Sequence, residues 1–374
     1  MRMLESEAKE AFRKWGIETP RSVAFSTVAE LDSAYKELGG EVVIKPMGIK
    51  GRGKAGLIKF ANTAEEARKR FEELEVATSV SKNQIGYIVE EKAKGISKEF
   101  YIAISVDYKN ATPTLVLSNK GGVDVEEIAR SSPASIKRLA VDITAGLNEA
   151  DVSKLIRELN MPEGIMATAR NVYDVFREYD AETVEINPLA LTDSGKLLAL
   201  DAVLVINDDS IFKHPELIEE YKSRKYKTPL EREMGELGWS YVELDGNIGI
   251  ISSGAGLSMA TMDLIKAFGG NPANFLDMAQ VDGEGIYKGL KLVAAKPGVK
   301  VIFINLIAGL NRCDMMAEGV KHFVAENGVS VPVIARMVGN RSEDGAEILK
   351  QAGLKNIEKL EDSVQAVVEA ANAR

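Results

Sequence analysis

The sequence has few of the residues that most often carry nucleophilic and acid–base chemistry. It contains one cysteine, Cys313, and two histidines, His214 and His322, among 374 residues. A single cysteine cannot form a disulfide within the chain, which favours a reducing compartment. No histidine lies near Cys313 in the sequence, so we expect a small packing residue rather than a nucleophile. Both histidines are likewise expected to be structural.

Long apolar runs are also missing. No segment reaches transmembrane length, and residues 1–10 carry too many charges for a signal peptide. The net charge of −9 argues against a nucleic-acid-binding protein. Together these features predict a cytoplasmic protein without a membrane or nucleic-acid partner. The length and the 45% hydrophobic content predict two or three globular domains.

Residues 183–206 form the most informative stretch of the chain. Two apolar, strand-like runs flank a turn, Asp-Ser-Gly, which predicts a β-hairpin. A turn centred on Ser194 sets Asn187 opposite Asp201, with Glu185 on the same face. A few hard oxygen ligands suit Mg²⁺ that arrives with nucleotide phosphates. The alternative is an edge hairpin with a polar outer face.

A glycine-rich loop at residues 48–56 follows a predicted strand that ends at Lys45. The loop partly matches a P-loop, but Ala55 stands where Ser or Thr would hold the metal. It also partly matches a dinucleotide motif, but a strand at 57–60 follows instead of a helix. A loop between two strands predicts a flap whose amides and lysines close over phosphates, with Lys45 in reach. The alternative is a solvated basic hairpin.

Two further features lie elsewhere in the first half of the chain. Glu91 and Glu99 flank a glycine-containing loop, where carboxylates could bind ribose hydroxyls or could simply be surface charge. Residues 208–237 are polar and carry a basic run, which we interpret as a crossover between domains with a solvated face. The predicted domains are therefore residues 1–237 and 238–374.

After residue 241 strands alternate with helices. This pattern predicts a doubly wound parallel sheet, with an edge strand at 355–360 and with ligands at the carboxyl ends of the strands. The apolar strand 300–307 is typical of a sheet covered on both faces. Gly254 opens a helix whose N-terminus suits an anion, although tight turns need glycine in any case.

The chain resembles the β subunit of succinyl-CoA synthetase (succinate–CoA ligase) and the related malate–CoA ligase β subunits along essentially its whole length. The resemblance rests on the order and spacing of these stretches: Lys45 with 51–56, 98–99, 121–127, 185–189, 200–201, 244–249, 254–257 with 261–263, 272–277 and 312–314. It implies an α/β chain with an ATP-grasp domain followed by a flavodoxin-like CoA-ligase domain.

The resemblance also assigns residues to a nucleotide site. It implies that ATP phosphates are bound by Lys45, Gly51, Arg52, Gly53 and Lys54. The nucleoside would be bound by Glu91, Glu99 and the backbone near Lys94, and Mg²⁺ by Asn187 and Asp201. Pro20 matches the members that use ATP rather than GTP.

The same resemblance implies a partner. Glu185 would face a phosphohistidine carried by an α subunit, which also holds the CoA site. The β chain should therefore be active only with that subunit, as αβ or (αβ)₂. The implied reaction converts ATP, CoA and a dicarboxylic acid to ADP, phosphate and the acyl-CoA, through an acyl phosphate.

Three departures from the family pattern lie on the acid side, where the resemblance places the substrate site. Ser253 replaces the usual Asn before Gly254. Residues 278–282 replace a Gly-Gly-Gly-containing loop, and 308–311 replace Gly-Gly-Ile followed by an apolar or small residue. The candidate acid-binding residues are Ser253, Gly254, Gly309, Leu310 and Asn311.

An Asn at position 311 resembles the malate–CoA ligases, in which an extra hydrogen-bond partner could meet a hydroxyl group. A buried amide would favour a hydroxy acid, because a plain acid would leave the amide unpaired. Succinate is the first expectation for the acid and malate the second. Two other functions stay open: a non-catalytic nucleotide-binding regulatory chain, and an ATP-grasp ligase that forms C–N bonds. The last would not need the second domain.

Overall fold

The computed structural model describes residues 1–49, 51–81, 84–123, 125–279, 281–327 and 331–373. Three residues of the segments discussed above, Lys50, Asp124 and Gln280, therefore lie outside the described residues. The chain divides into two compact units, Met1–Tyr221 and Lys222–Arg374. The division falls inside the expected crossover rather than at residue 237. Among the described residues, no helix combines the length and apolar character needed to cross a membrane.

Unit 1 contains a small antiparallel sheet of order β1-β4-β2-β3. Its strands are β1 (Ser22–Phe25), β2 (Val42–Pro46), β3 (Lys59–Ala61) and β4 (Tyr87–Glu91), and its helices are α2 (Val28–Leu38) and α3 (Ala64–Thr78). The rings of Phe25, Phe71 and Tyr87 pack together with centroids 4.9–5.6 Å apart. This aromatic core fixes β4, which carries Glu90 and Glu91, against helix α3.

A second antiparallel sheet of unit 1 has the order β10-β8-β5-β6-β7, with β9 paired to β8. The elements are α1 (Glu5–Lys14), β5 (Ile96–Asp107), β6 (Thr112–Ser118), α4 (Val125–Ser131), β7 (Ile136–Ala140), α5 (Glu149–Glu158), α6 (Ile165–Glu178), β8 (Ala181–Thr192), β9 (Leu197–Ala199) and β10 (Val203–Ile206). Buried side chains of α1, α5 and α6 pack on one face of this sheet. β7 was not expected, because it is a short edge strand with two charges at its centre.

The hairpin has the register that its turn predicts. Leu189 pairs with Ala199, and Glu185 pairs with Val203. Between these two ladders the pairing is interrupted at residues 200–202, and the Asn187–Pro188 peptide bond is cis. Asp201 therefore lies at the break between the two ladders, while Asn187 lies within β8.

Unit 2 contains a parallel sheet of order β12-β14-β15 and an antiparallel pair, β11 with β13. The two short helices around the division are α7 (Ile218–Lys225) and α8 (Pro229–Glu236). The other elements are β11 (Ser240–Glu243), β12 (Ile248–Ser252), α9 (Ala255–Ala267), β13 (Asn274–Asp277), α10 (Gly283–Ala295), β14 (Val301–Ala308), α11 (Cys313–Asn327), β15 (Val333–Gly339), α12 (Ser342–Gln351) and α13 (Leu360–Asn372).

Helices cover both faces of this sheet. Ile302 and Ile304 of β14 belong to one buried cluster, and Val301 and Phe303 belong to another on the opposite face. The doubly wound arrangement is thus confirmed. Two details were wrong: β11 is an unexpected antiparallel strand, and residues 355–360 contribute a single bridge at Asn356 instead of a strand.

The buried side chain of Asn274 joins β13 to β12. Its Oδ1 accepts from the Ile250 amide at 2.9 Å, and its Nδ2 donates to the Ile250 carbonyl at 2.8 Å. We predict that Asn274→Ala lowers the free energy of unfolding of unit 2 by about 2–4 kcal/mol, since two buried backbone groups lose their partners. Urea unfolding, followed by Trp239 fluorescence in a Trp15→Phe background, measures this.

Asn271→Ala is the matched control for Asn274→Ala. The Asn271 side chain is exposed and accepts one bond, 3.2 Å long, from Lys266. Its removal should change the free energy of unfolding by less than about 0.5 kcal/mol. Equal effects of the two substitutions would show that the hydrogen bonds of Asn274 to β12 do not contribute measurably to the free energy of unfolding.

Candidate functional site

Six charged side chains meet inside unit 1 and form what we call the charge cluster: Glu5, Lys9, Lys45, Arg52, Glu90 and Asp201. Lys45 Nζ lies 3.0 Å from Glu5 Oε1 and donates to the Leu200 carbonyl at 2.7 Å. Lys9 Nζ lies 2.9 Å from the same Glu5 oxygen. Both ammonium groups also pair with Glu90. The cluster brings together the first helix, the end of β2, the middle of β4 and the break in the hairpin.

The cluster is balanced, with three cations and three carboxylates. Buried charge is tolerated only when it is paired and hydrogen-bonded, which holds for these groups. Burial alone would raise the pKa of Glu5, but Lys45, Lys9 and Arg52 hold that pKa far below its ordinary 4.5. Burial likewise opposes the charge of Lys45, but Glu90 and Glu5 raise its pKa above the ordinary value. Glu5 and Lys45 therefore stay ionised at neutral pH. Burial, together with the charge of Glu5, raises the pKa of the Asp201 carboxyl above its ordinary value.

Arg52 joins the glycine-rich loop to the cluster. Its Nη2 donates to both carboxylate oxygens of Asp201, at 2.8 and 3.0 Å. Its Nη1 donates to Glu5 Oε2 at 2.5 Å and to the Pro46 carbonyl at 3.0 Å. The structure thus places three predicted residues, Lys45, Arg52 and Asp201, in one site, and there Arg52 contacts the predicted metal ligand.

The described residues 51–57 of the glycine-rich segment form a series of turns between β2 and β3. Gly51 has φ +69°, a conformation that favours glycine. The amides of Ala55, Gly56 and Leu57 donate to carbonyls of Gly51, Gly53 and Arg52, respectively. These three amides are engaged within the loop, so phosphate binding by them would require the loop to rearrange. Lys54 is 67% exposed and lies 3.5 Å from Glu127.

Asn187 is held by the loop that follows β6. Its Oδ1 accepts from the Gly122 amide at 2.8 Å, and its Nδ2 donates to the Val123 carbonyl at 3.0 Å. Gly122 has φ +70°, and a Cβ there would lie 2.5 Å from Glu99 Oε2. Glu99, Asn187 and this loop are therefore neighbours, and the positive φ of Gly122 favours glycine there.

Glu185 occupies the same strand as Asn187, two residues earlier. The Tyr101 hydroxyl donates to Glu185 Oε2 at 3.3 Å. Burial, together with the Glu185 charge, raises the pKa of Tyr101 well above its ordinary value, so the phenol stays a donor. This contact orients the carboxylate that we expect to be catalytic.

The predicted nucleoside ligands lie on a more exposed edge. Glu91 Oε1 accepts from Arg21 Nε at 2.9 Å, and Lys94 Nζ lies 3.5 Å from Glu41. Lys94 is 72% exposed. Both side chains lie near β4, but the contacts of Glu91 and Lys94 are with other surface charges.

The donor set fits a magnesium ion that is carried by phosphates. The described residues contain no group of three or more His, Cys, Asp or Glu that could hold a metal unaided. One carboxylate, Asp201, and one amide oxygen, Asn187, would instead share Mg²⁺ with phosphate oxygens and water. The Asp201 carboxylate already binds a cationic group, Arg52, which shows that it is arranged to accept positive charge.

The acid-side candidates lie in unit 2, at the carboxyl end of the parallel sheet. Ser253 Oγ donates to the Ala279 carbonyl at 2.8 Å. The Gly254 amide, at the start of α9, donates to Asp277 Oδ1 at 2.7 Å, and the Ala279 amide donates to the same oxygen at 2.9 Å. A carboxylate of the chain itself therefore occupies part of the predicted anion site.

Gly309, Leu310 and Asn311 form the loop after β14. Leu310 is 87% exposed. Asn311 lines a depression of about 500 Å³ together with Leu237, Trp239, Asp282 and Lys288. Of the five acid-side candidates, Asn311 is the one that lines this depression.

The sequence analysis missed Glu5, Lys9, Glu90 and Asp277. Glu5 and Lys9 stand at buried positions of helix α1, where Glu5 lies three residues before Ala8 and Lys9 three residues before Phe12. Charges on an otherwise apolar stripe were a usable signal. Glu90 and Asp277 gave no such signal, because their partners are distant in sequence.

Comparisons with known proteins agree with this division of the chain. The ATP-grasp domain family matches residues 2–191, and the CoA-ligase family matches residues 251–370. The chain is 37% identical to the succinate–CoA ligase [ADP-forming] β subunit of Ignicoccus hospitalis over the full length of both chains. It is 38% identical to that of Desulfurococcus amylolyticus, over 99% of this chain and 98% of the relative.

Among solved structures, the chain is similar to ATP citrate lyase from Methanothrix soehngenii in complex with citrate and coenzyme A. The TM-score is 0.70 at 20% identity, over 98% of this chain and 99% of that one. At this level of identity the similarity concerns the fold alone.

The charge cluster predicts a strong effect of neutralising Glu5. We expect Glu5→Gln to lower the free energy of unfolding of unit 1 by about 3–5 kcal/mol, since buried cations lose a carboxylate. Because the folded-state pKa of Glu5 is depressed, this contribution is present above pH 4.5 and is lost as the pH falls below it. Urea unfolding of both proteins at several pH values, followed by Trp15 fluorescence in a Trp239→Phe background, measures the difference.

Glu10→Gln, on the same helix, serves as the control for Glu5→Gln. Glu10 is 65% exposed and lies 3.9 Å from Lys14, so its neutralisation should change the free energy of unfolding by less than about 0.5 kcal/mol. A stability difference for Glu5→Gln that grows on acidification would contradict the account.

Proposed function

The chain belongs to the family of ADP-forming succinate–CoA ligase β subunits, and we propose that it is the nucleotide-binding subunit of an ADP-forming acid–CoA ligase. The reaction uses ATP, CoA and a dicarboxylic acid and gives ADP, phosphate and the acyl-CoA. The observation that carries the proposal is the convergence of Lys45, Arg52 and Asp201 in one site of the ATP-grasp unit.

In the proposed mechanism this chain positions and neutralises phosphate charge. Lys45 and Arg52 supply positive charge to the ATP phosphates, and Asn187 and Asp201 hold Mg²⁺. When bound, the metal would offset the negative charge on the transferred phosphoryl group. Glu185, oriented by Tyr101, would face the histidine of the partner subunit that receives that group. Positioning of this kind accounts for most of the rate in phosphoryl transfer.

The β-subunit relationship implies an α subunit, and the histidine count of this chain supports the same conclusion. His214 is mostly buried and lies 3.3 Å from Asp180, and His322 stands on the exposed face of α11, 3.3 Å from Glu326. Neither lies in a loop that could carry a phosphoryl group between sites. We therefore propose that the phosphohistidine and the CoA site belong to the partner, in an αβ or (αβ)₂ complex. Use of ATP over GTP and a cytoplasmic location stay predictions.

We propose succinate as the acid, with malate as the second candidate. Asn311 lines the depression beside Lys288, and its amide could meet a hydroxyl group. A regulatory chain without activity is less well supported, because such a chain has no physical need for a balanced charge cluster around Asp201. Copurification of a histidine-bearing α-like chain separates the two possibilities.

Removal of either metal ligand should abolish turnover. Asn187→Ala and Asp201→Ala, each reconstituted with the partner subunit, are expected to reduce Mg·ATP-dependent thioester formation by more than about 100-fold. Asp193→Asn, in the turn of the same hairpin, removes a carboxylate that is not in the site and should stay within about twofold. Near-normal rates for Asn187→Ala and Asp201→Ala would show that these residues are not the metal ligands.

The acid can be identified by assaying thioester formation with succinate and malate in parallel. We expect turnover with succinate, and we expect Asn311→Val to change its kcat/KM by less than about threefold. The same substitution should lower any kcat/KM for malate by about 10-fold or more, since a hydroxyl partner is lost. Turnover with malate alone would make Asn311 the hydroxyl-binding residue and would overturn succinate as the substrate.

A further inference from the structure

Four hydrogen bonds hold the Arg52 guanidinium, although it belongs to a loop that was expected to be an open flap. Both terminal nitrogens of its guanidinium are engaged, with both oxygens of Asp201, with Glu5 Oε2 and with the Pro46 carbonyl. The side chain is only 11% exposed. Lys54, two residues further along the same loop, is 67% exposed. Arg52 and Lys54 are thus placed very differently.

Arg52 contacts Asp201, the carboxylate that is expected to bind the metal ion. Arg52 Nη2 donates to both oxygens of Asp201, so its positive charge lies directly against the carboxylate that a divalent cation would need. Asp201 is 32% exposed and so is accessible from solvent, yet its charge is already matched. A bare divalent cation would therefore have to displace a group held by four hydrogen bonds.

A nucleotide changes this balance. Its phosphates can accept the guanidinium of Arg52 at the same time as a metal ion on those phosphates meets Asp201. The exchange keeps every charge paired, because Arg52 moves from carboxylate to phosphate and the metal takes its place. The hydrogen bonds of Arg52 to Glu5 and Pro46 hold the loop on the cluster until that exchange occurs.

We propose that Arg52 is the cation paired with Asp201 in the absence of a nucleotide. In this role it holds the glycine-rich loop closed against the Asp201 carboxylate and excludes a divalent cation that arrives without a nucleotide. The inference rests on the proposed function, because it takes Asp201 to be a metal ligand. It adds a defined order of binding, in which the metal and the nucleotide enter together and Arg52 changes partner.

Mn²⁺ alone is the probe for the first test, with free Mn²⁺ measured by electron paramagnetic resonance on the full chain. Without nucleotide, Arg52→Gln is expected to bind Mn²⁺ about tenfold or more tightly than the wild type, since Asp201 loses its competing partner. The double variant Arg52→Gln, Asp201→Asn should lose that gain. Equal Mn²⁺ affinity of wild type and Arg52→Gln would overturn the proposal.

Limited trypsin digestion tests the closed loop without changing Arg52, in case Arg52→Gln fails to fold. Asp201→Asn should speed cleavage after Arg52 and Lys54 by about fivefold or more, since the loop loses its main anchor. Glu127→Gln, which removes the carboxylate near Lys54, is the matched control and should leave the cleavage rate within about twofold. Unchanged cleavage in Asp201→Asn would contradict a loop held by this contact.

Binding of a fluorescent ADP analogue separates failure of this inference from failure of the proposed function. With Mg²⁺ present, the wild type should bind the analogue, and Arg52→Gln should bind it about tenfold more weakly, because Arg52 then contacts phosphate. No binding by the wild type would overturn the proposed function. If the wild type and Arg52→Gln both bind the ADP analogue and also bind Mn²⁺ with equal affinity, only the role of Arg52 is overturned.

Discussion

The charge cluster is the constraint on which the nucleotide-binding unit depends. Three cations and three carboxylates are removed largely from water, and each is stable there only because the others are present. The cluster joins five parts of the chain: helix α1, the two strands that carry Lys45 and Glu90, the glycine-rich loop and the break in the hairpin. Change at any one point therefore alters the electrostatic environment at the other points.

The break in the hairpin allows residues 200 and 201 to contact the cations of the charge cluster. Because the strand pairing stops at residues 200–202, the Leu200 carbonyl can accept hydrogen bonds from Lys9 and Lys45, and Asp201 can meet Arg52. Asn187, by contrast, is already fixed by two backbone contacts. One predicted metal ligand is thus positioned by the backbone and the other is neutralised by a side chain that can change partner. In unit 2, Asp277 plays a comparable part by accepting from the amide of Gly254, the residue that precedes α9.

Much of this could be predicted from sequence where the determinants are local. The turn at Ser194 defines the register that sets Asn187 near Asp201, and the strand on each side of the glycine-rich loop distinguishes a flap from a P-loop. Predictions failed where the partner is distant. Glu5 and Lys9 stand on the apolar stripe of α1, but their partner Glu90 lies more than eighty residues along the chain from both. β11 pairs with a strand more than thirty residues away. The contact between Arg52 and Asp201 spans 149 residues and has no local signature.

The most direct test of the account is a crystal structure of the chain with its partner subunit, Mg²⁺ and ADP. We expect a metal ion bound by the Asp201 carboxylate and the Asn187 amide oxygen, with the Arg52 guanidinium on the phosphates. A nucleotide bound elsewhere, or a metal ion held by other residues while Arg52 Nη2 remains on both oxygens of Asp201, would contradict this.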